Sequence, residues 1–159
     1  MPGPNITRLN HAVLFVRDAA RAAAFYRQAF GFEEITNMNG QAVFLRAAGS
    51  NNHHDLGLFS VGPGAPNAPR GSVGLYHLAW QVDRIEDLAA MRTRLAELGA
   101  LTGASDHGAT KSLYGADPDG NEFEVMWLVP REEWGDYDRH AVTKPLNLER
   151  ELAVHGARP

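Results

Sequence analysis

A chain of 159 residues, 44% apolar and 21% charged, has the size and composition of one soluble globular domain. Its net charge of -4 leaves no basic footprint for nucleic acid, no apolar run approaches transmembrane length, and the lack of cysteine excludes disulfides and thiolate ligands. Met1-Pro2-Gly3-Pro4 lacks the apolar core of a secretion signal, so a cytoplasmic protein without membrane association is expected. Asn5-Ile6-Thr7 is then a chance sequon.

In chain order, Leu9 to Val16 reads as a strand and runs through Arg17-Asp18 into a helix from Ala19 to Phe30. Ala22, Phe25, Tyr26 and Ala29 carry the helical spacing, and Gly31 is the stop signal. Strand-like runs follow at Phe32 to Asn37, Gln41 to Ala47 and His54 to Val61. A Gly- and Pro-rich linker covers Val61 to Val73. The pattern then begins again. A strand from Leu75 to Val82 leads through Asp83-Arg84 into a helix from Ile85 to Leu98, stopped at Gly99. Strand-like runs follow at Leu101 to Gly103, Lys111 to Ala116 and Asn121 to Val129. His11 and His77, 66 positions apart, occupy equivalent places in the two halves, which suggests one duplicated β-α-β-β-β module. Asp117-Pro118-Asp119-Gly120 is a tight turn; its glycine falls too early for a calcium loop. The charged residues 131–159 read as a tail with a short helix near its end, either a surface extension packing Trp134 and Leu148 back on the body or a dimer contact or active-site lid.

Three residues stand out on this frame: His11, His77 and Glu124, each placed within an apolar strand-like run. Such groups are costly to bury unless something satisfies them. Strand alternation puts His11 with Val13 and Phe15, His77 with Ala79 and Gln81, and Glu124 with Met126 and Leu128. One face of each strand can pack on helices while the other lines a cavity. Two imidazoles and one carboxylate suit a divalent transition metal with positions left open for substrate.

The stretch Tyr76-His77-Leu78-Ala79-Trp80-Gln81-Val82-Asp83, the run Asp117-Pro118-Asp119-Gly120-Asn121-Glu122-Phe123-Glu124, and His11 at the first strand resemble the vicinal oxygen chelate superfamily. That superfamily includes glyoxalase I, bleomycin-resistance proteins, fosfomycin-resistance enzymes and extradiol dioxygenases. The resemblance covers about residues 6 to 129. It implies an α+β fold of two tandem βαβββ modules, about 6–61 and 73–129, forming an open, metal-centred barrel. Residues 1–130 would make one domain and 131–159 a C-terminal tail. Four-ligand members take a further ligand from the late first-module strand, but here the positions analogous to Glu124 are apolar. The three-ligand set that remains is the facial triad associated with non-haem Fe(II).

Further residues resemble the extradiol, catechol 2,3-dioxygenase-type branch. Asn51-Asn52-His53-His54-Asp55-Leu56-Gly57-Leu58 is similar to the stretch with the acid-base histidine, and His54 is the match by register. Tyr114, ten residues before Glu124, has the spacing of the substrate-facing tyrosine. Ser105-Asp106-His107-Gly108 resembles the stretch with a second histidine beside the substrate. The resemblance therefore implies Fe(II), or Mn(II) with the same donors, held by His11, His77 and Glu124. A small aromatic diol would be cleaved with O2. His54 would move the proton, Tyr114 would hold the bound phenolate, and His107 would shape the pocket. Members often pair as homodimers, so a homodimer is expected. Many extradiol enzymes carry four such modules where this chain has two. Two other readings share the fold: a fosfomycin-type metal-dependent transferase, and a metal-free antibiotic-binding module. The first needs a basic pocket, for which the inner strands offer only Arg46 and Lys111.

Overall fold

The computed structural model describes residues 3–69 and 71–157. The leader reading at Met1 and Pro2 and the last two residues of the tail lie outside the described residues. The chain divides into two compact units, Met1–Pro66 and Asn67–Pro159. Among the described residues, no helix is long and apolar enough to cross a membrane.

The first unit holds β1 (Ala12–Val16), α1 (Ala19–Phe30), β2 (Glu33–Asn37), β3 (Ala42–Arg46) and β4 (Leu56–Ser60). Its sheet runs β1-β4-β3-β2, with β1 parallel to β4 and the other pairs antiparallel. Local signals set the helix ends. Asp18 accepts a hydrogen bond from the Arg21 amide at 2.9 Å, satisfying a first-turn donor. Gly31 takes the left-handed conformation at φ 70° and donates to the Arg27 carbonyl. The small residues Ala19, Ala22, Ala23 and Ala29 are buried and let α1 lie close on the sheet, with Tyr26 filling the space between.

The second unit repeats this plan. It contains β5 (Leu78–Val82), α2 (Ile85–Glu97), β6 (Leu101–Asp106), β7 (Thr110–Ala116) and β8 (Glu122–Leu128), in the sheet order β5-β8-β7-β6 with β5 parallel to β8. Ile85, Leu88 and Leu95 of α2 pack toward the buried side chains Leu113, Phe123, Val125 and Trp127. Two βαβββ modules with matching strand order are the α+β fold the sequence pattern anticipates.

Three boundaries depart from the sequence expectation by three residues each. The strands holding His11 and His77 start later, at Ala12 and Leu78, so each histidine sits one residue before its strand. For β1 the reason is pairing: its first register partner is Leu56, where β4 itself begins; β5 begins opposite Phe123, one residue into β8. Third, β6 extends to Asp106 because it stays paired with β7 as far as Lys111. His107 lies in the turn that closes this hairpin, its amide donating to the Thr110 carbonyl at 2.9 Å.

Residues beyond β8 are built into the second unit. Two short 3-10 turns, Arg131–Glu133 and Gly135–Asp138, precede α3 (Leu148–His155). Trp134 Nε1 donates to the Val129 carbonyl at 2.7 Å, and Leu148 is fully buried, which stabilises the segment by about 2 kcal/mol. Asp106 and Lys144 form an antiparallel bridge through both backbone bonds, at 2.8 and 2.9 Å.

Gly115 shows how tightly the second sheet closes on its core. A Cβ there would stand 2.4 Å from the Phe123 ring and 2.7 Å from the Ala100 carbonyl oxygen. Backbone cannot yield as a side chain can, so Gly115→Ala should destabilise the protein by about 1–3 kcal/mol, read as a lower urea midpoint at unchanged slope.

Candidate functional site

Each sheet has two unlike faces. On β1, Leu14 and Val16 are buried, while Val13 is 50% and Phe15 74% exposed. On β8, Phe123, Val125 and Trp127 are buried, and Glu124, Met126 and Leu128 lie on the face away from α2. The candidate residues keep the parity of these open faces: His11 with Val13 and Phe15, His77 with Ala79 and Gln81, Glu124 with Met126.

In the first unit, a polar network holds two histidines together. Asp55, at the entry to β4, accepts from the Ala47 amide at 2.8 Å, from Ser50 Oγ at 2.7 Å and from Asn52 Nδ2 at 2.7 Å. Asn52 Nδ2 also donates to the Asn10 carbonyl at 2.7 Å, tying this loop to the segment before β1. Asn10 Oδ1 accepts from His11 Nδ1 at 2.9 Å. That bond places the ring proton on Nδ1 and leaves the Nε2 lone pair available to a ligand. The His11 and His54 rings lie with centroids 4.5 Å apart, and His53 Nδ1 stands 3.0 Å from His54 Nδ1. Burial first, then the neighbouring His11 and His53, push the His54 pKa below the ordinary imidazole value, against the pull of Asp55. His54 is thereby kept neutral, able to accept a proton. His11 is exposed, so the burial cost inferred for it from the sequence does not arise.

In the second unit, His77 Nε2 lies 3.1 Å from Glu124 Oε2, both side chains being largely buried. His77 Nδ1 is buried and has no hydrogen-bond partner among the described residues, with Glu122 Oε1 4.0 Å away. A bare imidazole lone pair facing a carboxylate oxygen at this distance would repel it, so a proton or a cation belongs between them. Two donors at about 2.1 Å on adjacent corners of an octahedral ion stand about 3.0 Å apart, so the pair fits a shared divalent metal. Among the described residues, no three His, Cys, Asp or Glu side chains form a group able to hold a metal ion. The donors stand in pairs, His11 beside His54 in one unit and His77 beside Glu124 in the other.

Tyr114 pairs with Glu124 across β7 and β8, and its ring centroid lies 5.9 Å from that of His77. Its hydroxyl is 2.7 Å from His107 Nε2. Burial first, then the negative charge of Glu124, push the Tyr114 hydroxyl above its usual range, so it remains protonated at neutral pH. His107, Tyr114, His77 and Glu124 are thus neighbours within one unit. Lys111 points the other way. It is buried on the helix side, with Asp106 at 2.6 Å and Glu151 at 3.7 Å. Arg46 pairs with Glu33 at 2.9 Å.

Sequence reasoning gave no role to Asn10, Asn52 or Asp55, which organise the first cluster. Their signal was the polar run Asn51 to Asp55 set between two apolar strands. Burial raises the Asp55 pKa, but the Ala47 amide, Ser50 and Asn52 outweigh it and hold the carboxyl below its ordinary value. A depressed carboxylate stabilises the fold above its unfolded pKa, and that contribution disappears as pH falls through the folded value. Asp55→Ala should therefore cost about 2 kcal/mol at neutral pH. The difference from the native chain should shrink below about pH 4, as followed by urea denaturation across pH.

The Glyoxalase/Bleomycin resistance protein/Dioxygenase superfamily profile matches residues 8–125. Catechol-2,3-dioxygenase of Bacillus subtilis (strain 168) is 34% identical over 129 residues, 80% of this chain and 44% of that protein. The manganese-dependent 2,3-dihydroxybiphenyl 1,2-dioxygenase of Geobacillus genomosp. 3 is 26% identical over 130 residues, 79% of this chain and 38% of that protein. The chain thus spans less than half the length of either relative. The fosfomycin resistance protein FosX of Listeria monocytogenes, solved with Mn(II) and sulfate, shares the fold with a TM-score of 0.62. It is 23% identical, and the match covers 84% of this chain and 99% of that one. With matching modules, strand order and sequence profile, the chain belongs to the glyoxalase/bleomycin resistance protein/dioxygenase superfamily.

Proposed function

We propose that this protein is an extradiol ring-cleaving dioxygenase acting on a catechol-type substrate with O2. The observation that carries the reading is the His77–Glu124 pair at 3.1 Å, with the hydrogen-bonded Tyr114–His107 pair beside it on the same open face. A catechol-2,3-dioxygenase and a 2,3-dihydroxybiphenyl 1,2-dioxygenase among the relatives support it. In this proposal His11 joins His77 and Glu124 as the ligand set, and the two units act as a single domain of residues 1–130 with 131–159 as its tail. Fe(II) is the proposed ion; Mn(II) accepts the same donors, and one relative is manganese-dependent. A cytoplasmic homodimer completes the proposal.

A bound divalent ion would draw a catechol and O2 together and lower the hydroxyl pKa, so that a catecholate forms near neutral pH. The remaining work falls to side chains. His54, held neutral, would take a proton from the diol and return it as the ring opens. Tyr114 would hydrogen-bond the bound diol oxygen, and His107 would fix Tyr114 and shape the pocket wall. Both oxygen atoms of O2 end in the product as the carbon–carbon bond beside the diol breaks.

The fosfomycin-type reading needs free cations for a phosphonate, and the two inner-strand candidates, Lys111 and Arg46, are already paired with carboxylates. A metal-free antibiotic-binding role would need a proton in place of the ion between His77 and Glu124.

Fe(II)-loaded protein exposed to catechols under air should consume one O2 for each yellow ring-opened product formed. His54→Phe should keep its metal content and lose about 10²- to 10⁴-fold in turnover. Ring cleavage at the native rate in that variant would remove His54 from the proton step. Loaded protein that takes up no oxygen with any simple catechol would overturn the dioxygenase reading.

A further inference from the structure

His107 has both ring nitrogens occupied, and the two partners differ in kind. Nδ1 lies 2.8 Å from the backbone carbonyl of Val142, in the segment after β8. A carbonyl oxygen can only accept, so Nδ1 carries the proton. In the neutral ring Nε2 is then a bare lone pair, and the Tyr114 hydroxyl 2.7 Å away must donate to it. Thr143 Oγ1, at 3.4 Å from Nδ1, adds only a weak second contact. The direction of the Tyr114 hydroxyl is therefore decided 28 residues downstream, by a main-chain oxygen.

Several contacts hold that oxygen in place. The backbone bridge between Asp106 and Lys144 flanks it, one residue from His107 on one strand and two from Val142 on the other. Asp106 also accepts from Lys111 Nζ and from the Gly108 amide, which stiffens the turn carrying His107. Gly108, at φ 80°, lies under the Tyr137 ring, where a Cβ would come within 2.4 Å. Lys144 Nζ donates to the Tyr137 hydroxyl at 3.2 Å, and Leu148 anchors the far side.

We propose that the segment from Tyr137 to Lys144 is a positioning strap. Its Val142 carbonyl fixes His107 as the Nδ1–H tautomer and so commits the Tyr114 proton to His107. On the proposed dioxygenase reading this sharpens what the site recognises. With its proton committed, Tyr114 presents a lone pair to the open face. It would therefore accept a hydrogen bond from a substrate hydroxyl still carrying its proton.

Nitrogen-detected NMR of the metal-free full-length protein tests this without turnover. The expected result is one neutral Nδ1–H form of His107, with the Tyr114 hydroxyl proton coupled to Nε2. Tyr114→Phe should keep the Nδ1–H form, because the strap sets it. Lys144→Pro removes one bond of the bridge and should lose the single-tautomer signature while the sheet resonances persist; Lys144→Arg should retain it. An Nε2–H ring in the native protein, or an Nδ1–H form lost on Tyr114→Phe, would overturn the proposal. So would an unchanged signature in folded Lys144→Pro. None of these results depends on ring cleavage, so failure of the dioxygenase reading would appear separately, in the oxygen-uptake assay.

Discussion

Parallel pairing of the first strand of each module with its last strand is the constraint on which the rest of this structure depends. Through β1–β4 and β5–β8, each helix must cross back over one face of its own sheet, and only that face becomes apolar core. The opposite face is left to other uses. Because side chains alternate, a residue's parity alone decides whether it meets the helix or the open side. His11, His77 and Glu124 all have the open parity. Lys111, one position out of phase with Ser112 and Tyr114, is drawn into the core and neutralised by Asp106 and Glu151.

The candidate groups are held by polar partners more than by packing. Asp55 gathers three donors from its own loop, and through Asn52 and Asn10 the order it imposes reaches His11. Asp106 plays the corresponding part in the second unit, accepting from Lys111 and the Gly108 amide beside His107. Neither aspartate is a proposed ligand or acid-base group. Each fixes the ring orientation that a ligand or base needs, which is the usual work of residues behind a reactive site. The superfamily accommodates several chemistries on such a frame, so chemistry here is argued from these side chains and not from the fold.

Much of the fold was legible because its signals are local. The helix from Ala19 to Phe30 has the limits that Asp18 and Gly31 announce, and the duplication is visible in the equivalent places of His11 and His77. What was hidden depends on partners distant in sequence. The late start of β1 follows from where β4 begins, which no local pattern states. In the sequence His107 is singled out only by the resemblance of its stretch, yet it is part of a hairpin turn whose two ring contacts come from positions 114 and 142. Asp55 appeared as one more polar residue beside the histidines, because a carboxylate's donors can be counted only in three dimensions.

The central claim is that His11, His77 and Glu124 serve one divalent ion. Manganese paramagnetic resonance on the full-length protein addresses it most directly. The account predicts one tightly bound Mn(II) per chain, with nitrogen hyperfine coupling from two imidazoles, and loss of one coupling in His11→Ala and in His77→Ala. Glu124→Ala should abolish tight binding. A bound ion whose spectrum is unchanged by any of the three substitutions, or a native chain that retains no ion, would contradict it.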